Sequence, residues 1–288
     1  MPASNIGRKG RRRHKMERFE NGIRIEERGE EKGEGKTILF VHADFVDGGM
    51  WKAVMDRLSP RYRVACFDKR GYGRSEPATG PICRRRELET VLRSLGGGGS
   101  VHLVGCSNGG QSSLDLALEH PELVRSLTLV NSPPSGFEMR GDPPPELLEM
   151  IAAMTRGDLD ATSELQIRIW FDGPERRTGD FDKAKLAARA EAARMNRIFV
   201  ERGTFLATGG ADAEPLNPPA IGRLGEIRLP TLIVSGDLDY SETRRASSIM
   251  AEGIPGARML RMAGCAHVAP MEEPEAFSDA LAAFIEAT

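Results

Sequence analysis

Apolar positions along this chain fall into two rhythms. Short continuous runs at Thr37 to Val41, Tyr62 to Phe67, Val101 to Val104, Ser126 to Val130 and Thr231 to Val234 have the length and β-branched content of strands buried on both faces. Between and after them lie segments whose apolar residues recur at helical spacing: Trp51 to Leu58, Glu87 to Leu95, Leu114 to about His120, Thr243 to Glu252 and Pro274 to Ala287. Regular alternation of the two predicts a mostly parallel sheet covered by helices on both faces, an α/β fold. At the start, Arg18 to Arg28 alternates polar and apolar residues around Asn21-Gly22, a turn dipeptide that predicts a hairpin. Glu30 to Lys36 reads as a charged, Gly-rich turn, Gly96 to Gly99 breaks a helix, and Ala257 to Met262 is a last short strand.

The rhythm changes from Pro133 to about Ala220. No strand pattern occurs there, and helical segments lie near Glu146 to Thr155, Asp158 to Phe171 and Lys183 to Val200. Pro143 to Pro145 and the Pro-rich stretch from Pro215 to Pro219 punctuate the block. Its position between two sheet strands predicts an inserted helical cap, residues 133–220, on an α/β core made of residues 17–132 and 221–288.

Composition narrows the class. With 40% hydrophobic and 28% charged residues the 288-residue chain is an ordinary globular protein with enough apolar side chains for a sizeable core. No run approaches the ~18 apolar residues of a membrane span and no apolar signal region follows the basic start, so a cytoplasmic protein is expected. Residues 1–16 hold six lysines and arginines and no acid, while the whole chain has a formal charge of −2. The remainder is therefore acidic and offers nothing to nucleic acid. The basic stretch is expected to be a disordered leader outside the fold, or an extension upstream of a start at Met16. Cys66, Cys83, Cys106 and Cys265 have no metal-ligand or disulfide spacing, and no metal, cofactor or membrane partner is expected. A monomer or small homo-oligomer acting on a small molecule fits these bounds.

The chemistry centres on residues 101–118. The strand from Val101 runs into Gly105-Cys106-Ser107-Asn108-Gly109-Gly110, and a helical pattern follows at once. Strand, sharp turn and helix around Gly-x-Ser-x-Gly form the context of a nucleophile elbow, in which the flanking glycines remove side chains that would collide at the corner. A serine that merely capped the helix would need none of this. A serine hydroxyl needs a base within reach and a carboxylate to orient that base. His14 lies in the leader, His42 follows a strand, His102 lies within one and His120 precedes Pro121. His267 follows the last strand, in the loop Ala263-Gly264-Cys265-Ala266-His267, and Asp237 and Asp239 both follow the strand before it.

Taken together, these residues resemble the α/β-hydrolase fold superfamily from about Phe19 to Phe284, near the capped hydrolases of the 3-oxoadipate enol-lactonase group. Five motifs match in order: His42-Ala43 with Trp51 downstream, Asp68-x-Arg70-Gly71-x-Gly73-x-Ser75, the elbow, Gly236-x-x-Asp239, and Gly264-x-x-His267 followed by Glu273-Pro274-x-x-Phe277. The resemblance implies Ser107 as nucleophile, His267 as base and Asp239 as the orienting acid, with Asp237 as the alternative acid. It implies an oxyanion hole from the backbone amides of Asn108 and Asp44. Some relatives carry the acid after the preceding strand, where this chain has Asn131-Ser132. Asp44 departs from the pattern by placing a carboxylate beside an anion site; it is expected to turn away, toward Arg70. His42, Asp68 and Cys106 read as structural, Arg70 as a loop anchor or a contact for a substrate carboxylate, and Trp170 as cap core or substrate contact. The implied activity is a cofactor-independent hydrolysis of an ester, lactone or related acyl compound. A carbon–carbon bond hydrolase or a cofactor-free haloperoxidase would use the same triad, and a ligand-sensing signalling protein could keep it.

Overall fold

A computed structural model describes residues 15–29, 37–96, 99–141, 143–210 and 212–288. The Gly-rich turn at 30–36, residues 97–98 of the glycine run and the leader up to residue 14 lie outside the described residues. Among the described residues, eight strands form one sheet: β1 (Lys15–Glu20), β2 (Ile23–Arg28), β3 (Thr37–Val41), β4 (Arg63–Phe67), β5 (Val101–Cys106), β6 (Val124–Val130), β7 (Thr231–Gly236) and β8 (Arg258–Met262). Their order is β1-β2-β4-β3-β5-β6-β7-β8. β1 and β2 form the expected hairpin around Asn21 and Gly22, which take φ of 48° and 76°, and β2 meets β4 antiparallel; every other pairing is parallel. The hairpin takes in Lys15 and Met16, which pair with Arg28 and Glu27, so the chain enters the sheet before the end of the leader drawn at residue 16.

Helices cover both faces: α1 (Lys52–Leu58), α2 (Arg84–Ser94), α3 (Asn108–Glu119), α4 (Pro145–Thr155), α5 (Leu159–Ile167), α6 (Lys183–Glu201), α7 (Thr204–Thr208), α8 (Ser241–Gly253), α9 (Ala269–Glu272) and α10 (Pro274–Glu286). Strand alternation explains the two layers. Ile38, Phe40, Val64, Cys66 and Val104 face one way and join Trp51, Val54, Phe277 and Leu281 from the α1–α10 side. Leu39, Val41, Ala65 and Leu103 face the other and join Leu88, Val91, Leu114 and Met250 from α2, α3 and α8. Both faces of the central strands are thus buried, which is why these strands read as unbroken apolar runs.

Four elements depart from the sequence pattern. α2 begins three residues early because Asp212, far along the chain, accepts the Arg84 N–H at 3.0 Å and supplies a cap that no local pattern announces. α5 ends at Ile167 and gives way to a π-helical turn, Arg168–Asp172, where the Phe171 and Asp172 carbonyls accept bonds from Arg176. α7 and α9 are too short to carry a periodicity. α4 to α7 all lie between β6 and β7. Ile167, Phe171, Ala192 and Met195 from this block share a core with Phe45 and Trp51, and Asn196 Nδ2 donates to the Phe45 carbonyl at 2.9 Å. Thr204 Oγ1 donates to the Gly71 carbonyl at 2.7 Å. The block is therefore seated on the loops that follow β3 and β4. No helix among the described residues is long and apolar enough to cross a membrane.

Candidate active site

β5 delivers Ser107 at its C-terminal end, and α3 starts at the next residue. Ser107 has φ 54° and ψ −129°, a conformation costly for any residue with a Cβ. It is held by its own N–H, which donates to the Val130 carbonyl at 2.9 Å, and by the absence of side chains around it. A Cβ on Gly105 would lie 2.5 Å from the Gly109 carbonyl oxygen, and one on Gly109 would lie 2.5 Å from that of His42. The glycines of the motif are therefore required by close backbone approach, so the motif is a corner and not a loose turn.

One side of Ser107 is formed by the loops after β7 and β8. His267 Nδ1 and Asp239 Oδ2 are 2.7 Å apart, with the histidine 3% and the aspartate 1% exposed. The second Asp239 oxygen accepts the Tyr240 N–H at 2.8 Å. With the carboxylate accepting, the Nδ1 proton is fixed and Nε2 is left with its lone pair. Among the described residues neither Nε2 nor Ser107 Oγ is engaged in a hydrogen bond. His267 is tied through its main chain to the elbow and to the end of β6: its carbonyl accepts from Cys106 Sγ at 3.5 Å and from Asn131 Nδ2 at 2.8 Å. Asp237 is exposed and turned the other way, accepting the Gly264 N–H at 2.8 Å. Of the two candidate acids, only Asp239 contacts the imidazole.

Asn131 was passed over in the sequence except as the residue standing where some relatives hold an acid. At φ 46° it donates to the carbonyls of Ala266 and His267 and accepts the Gly236 N–H at 2.9 Å. It thereby ties β7 to the histidine loop. A second tie comes from the insert. Arg176 donates to Glu272 Oε2 at 2.5 Å and to the Gly264 carbonyl at 3.0 Å, and Glu272 Oε1 accepts the Ala266 N–H at 2.8 Å. Trp170, on the π turn, is half-buried with its ring 4.9 Å from the His267 ring. Cys106 is fully buried, and desolvation, reinforced by Asp239, pushes its thiol well above the ordinary value, so it is a filler and not a nucleophile.

The other side is the loop after β3. Lys69 N–H donates to His42 Nε2 at 2.9 Å, which leaves the His42 Nδ1 proton for the Ala43 carbonyl at 2.7 Å. Complete burial, with Lys69 close by, holds His42 neutral, its pKa well below the ordinary value. Asp44 does not meet Arg70. It is paired instead with Lys69, a buried lysine 2% exposed, and accepts a bond from Asn108 Nδ2. Desolvation pushes the Asp44 carboxyl up, but Lys69 and Arg84 outweigh it and hold the group well below the usual carboxylate range. Arg70 is taken up elsewhere: its guanidinium bonds Glu76 at 2.8 Å and the Asn21 carbonyl, and its N–H donates to Glu87. The structure brings Ser107, Asn108, Asp44, Asp239, His267 and Trp170 to one end of the sheet and leaves Arg70 at the hairpin turn. Lys69 is the residue the motif hid, because it occupies an unspecified position between Asp68 and Arg70.

No group of three or more metal-ligating side chains occurs among the described residues. A cavity of about 180 Å³ lies within the insert, lined by Met154, Leu159, Phe199, Phe205 and others, but neither Ser107 nor His267 lines it.

Residues 36–274 match the family described as the alpha/beta hydrolase fold. The chain belongs to this family. Among relatives within it, a pimeloyl-[acyl-carrier protein] methyl ester esterase of Yersinia enterocolitica is 28% identical over 88% of this chain and 95% of the esterase. A 2-hydroxy-6-oxononadienedioate/2-hydroxy-6-oxononatrienedioate hydrolase of Klebsiella pneumoniae is 27% identical over 88% of each. The crystal structure of the enol-lactonase from Burkholderia xenovorans LB400 superimposes with a TM-score of 0.73 at 22% identity, covering 94% of this chain and all of that one. This alpha/beta hydrolase chain thus shares its fold with a lactonase and is similar in sequence to hydrolases named for different substrates.

Proposed function

We propose that this chain is a serine hydrolase of ester, lactone or related acyl bonds, with Ser107 as nucleophile, His267 as general base and Asp239 as the orienting acid. The observation that carries the reading is the buried Asp239–His267 pair at 2.7 Å, tied by Cys106 to the elbow, whose strained serine has no hydrogen-bond partner for its hydroxyl among the described residues. Ser107 Oγ attacks the acyl carbon as His267 Nε2 takes its proton, and the imidazolium, balanced by Asp239, returns that proton to the leaving oxygen. Water then attacks the acyl-enzyme, giving its proton to Nε2, and the acid leaves as Ser107 is regenerated. The amides of Asn108 and Asp44 face the developing oxyanion; neither is spent on a protein acceptor among the described residues. The helical block at 133–220 serves as a cap, with Trp170 forming the wall nearest His267. A second reading uses the same residues: the same triad could cleave a carbon–carbon bond next to a carbonyl, and the Klebsiella relative, a hydrolase named for an oxo-dioate, is compatible with it.

Intact-protein mass after exposure to a neutral fluorophosphonate tests the assignment, with turnover of short-chain nitrophenyl esters followed in parallel. A single adduct in the wild type, absent in Ser107→Ala, is expected together with sustained turnover. No adduct and no turnover would overturn it.

A further inference from the structure

Asp44 lies two residues beyond His42 in a loop that, on the reading above, has only to present a backbone amide. Here it also presents a carboxylate. One of its oxygens is bonded by Asn108, the residue directly after Ser107, so the charge lies against the elbow itself. Its cationic partners are behind it. Lys69 is 2% exposed and packs on the Tyr72 ring at 5.1 Å, and Arg84 lies at 5.4 Å from the same ring, bound to Glu87 and the Arg70 carbonyl. The Asp44 side chain, by contrast, keeps 41% of its surface accessible, and Asn108 beside it is exposed. The four charges balance in number, two of each sign, but the solvent-facing member of the set is the carboxylate.

The geometry points to Asp44 as a specificity-determining residue that turns anionic acyl substrates away from Ser107 and leaves the site to neutral esters and lactones. This inference rests on the serine hydrolase reading. A substrate carboxylate on the acyl chain would approach the Asp44 oxygens before it could reach Lys69, which is sealed behind Asp44 and Tyr72. Two like charges a few ångströms apart at a half-exposed position change a rate by about tenfold or more. Asn108 contributes by spending its side-chain donor on Asp44 and so keeping the carboxylate beside the elbow.

The test compares kcat/KM for two nitrophenyl esters of the same length, the monoanion of adipic acid and its methyl ester, in wild type, Asp44→Asn and the double variant Asp44→Asn with Lys69→Met. Wild type is expected to favour the methyl ester at least tenfold beyond the ratio of the uncatalysed hydrolysis rates. The preference should fall to about one, or below it, in Asp44→Asn, where Lys69 loses its screen. The double variant, which leaves no unpaired lysine in the interior, should bring it near one whether or not the single variant folds. Labelling by the neutral fluorophosphonate separates the two readings. A wild type that is not labelled overturns the hydrolase assignment and this inference with it. A labelled protein with no preference in wild type, or with the same preference in the double variant, overturns the role of Asp44 alone.

Discussion

The two walls beside Ser107 are built on different electrostatics. On the His267 wall each charge is matched once and locally: Asp239 faces the imidazole, Glu272 faces Arg176, and main-chain carbonyls fill the remaining positions. On the Asp44 wall charge is shared through a lattice. Asp44, Lys69, Arg84 and Glu87 form one part, and Asp47, Asp68, Arg24 and Glu26 form another behind the same loop. The first wall fixes one tautomer at one atom. The second has no proton to move in the proposed reaction, and the roles proposed for its charges are in stability and in the choice of substrate.

That contrast is broken most directly by activity. His267→Ala is expected to lower kcat/KM for a neutral nitrophenyl ester by about 10⁴-fold or more, and Asp239→Asn by about 10³ to 10⁴-fold, because the imidazole then loses its tautomer and its counter-charge. Lys69→Met should cost less than about a hundredfold on the same ester, since no transferred proton passes through it. Steady-state kinetics on the three variants decides the matter. A Lys69→Met loss as deep as that of His267→Ala would mean that the Asp44 wall takes part in the chemistry.

The next effect is on stability, and it tests whether the His267 wall depends on the insert. Burial pushes the Glu272 carboxyl above its ordinary value, and Arg176 is the partner that opposes that shift and pairs with the carboxylate. Arg176→Met leaves that carboxylate unpaired in the interior, an expected loss of about 3–5 kcal/mol in the free energy of unfolding from urea titration. Adding Glu272→Gln should recover more than half of it, because the amide keeps an acceptor for the Ala266 N–H. A loss below about 1 kcal/mol in the single variant would show that the insert is not a support of the histidine loop.

The unequal legibility of the two walls has a physical cause. That Ser107, Asp239 and His267 lie at one end of the sheet is legible because each follows a strand end, and the strands before Ser107 and Asp239 are largely apolar runs. The elbow glycines are forced by contacts within one turn, so their spacing carries the geometry. Lys69 pairs with Asp44 across 25 residues, and nothing at either position signals it. Arg176 and Glu272 are further apart still, and Asn131 reveals its role only through a left-handed backbone at the end of β6. Where a partner is set by tertiary approach, the local pattern is silent. The Asp44–Arg70 pairing failed for this reason: the loop motif gave the arginine, but the turn after β4 points it at the hairpin and points the lysine before it at Asp44.

The smallest expected effect separates the walls by pH. Asp47 caps the turn that opens at Gly48, accepting the Gly49 N–H at 2.8 Å, and it faces Asp68 across Gly48. Burial, and then the Asp68 charge, push the Asp47 carboxyl up to about 6, above its ordinary value of 3.8. Between those two values the folded protein holds a proton that the unfolded chain has lost, so stability falls as pH rises from about 4 through about 6. Asp47→Asn removes the charge and keeps the capping oxygen. It should therefore be more stable than wild type by about 1–2 kcal/mol at pH 8, with the difference vanishing by about pH 4. Paired urea titrations across that range measure it. A variant less stable than wild type at pH 8 would place the value of Asp47 in its charge, against Arg24 and Arg194, and would make that charge a source of stability.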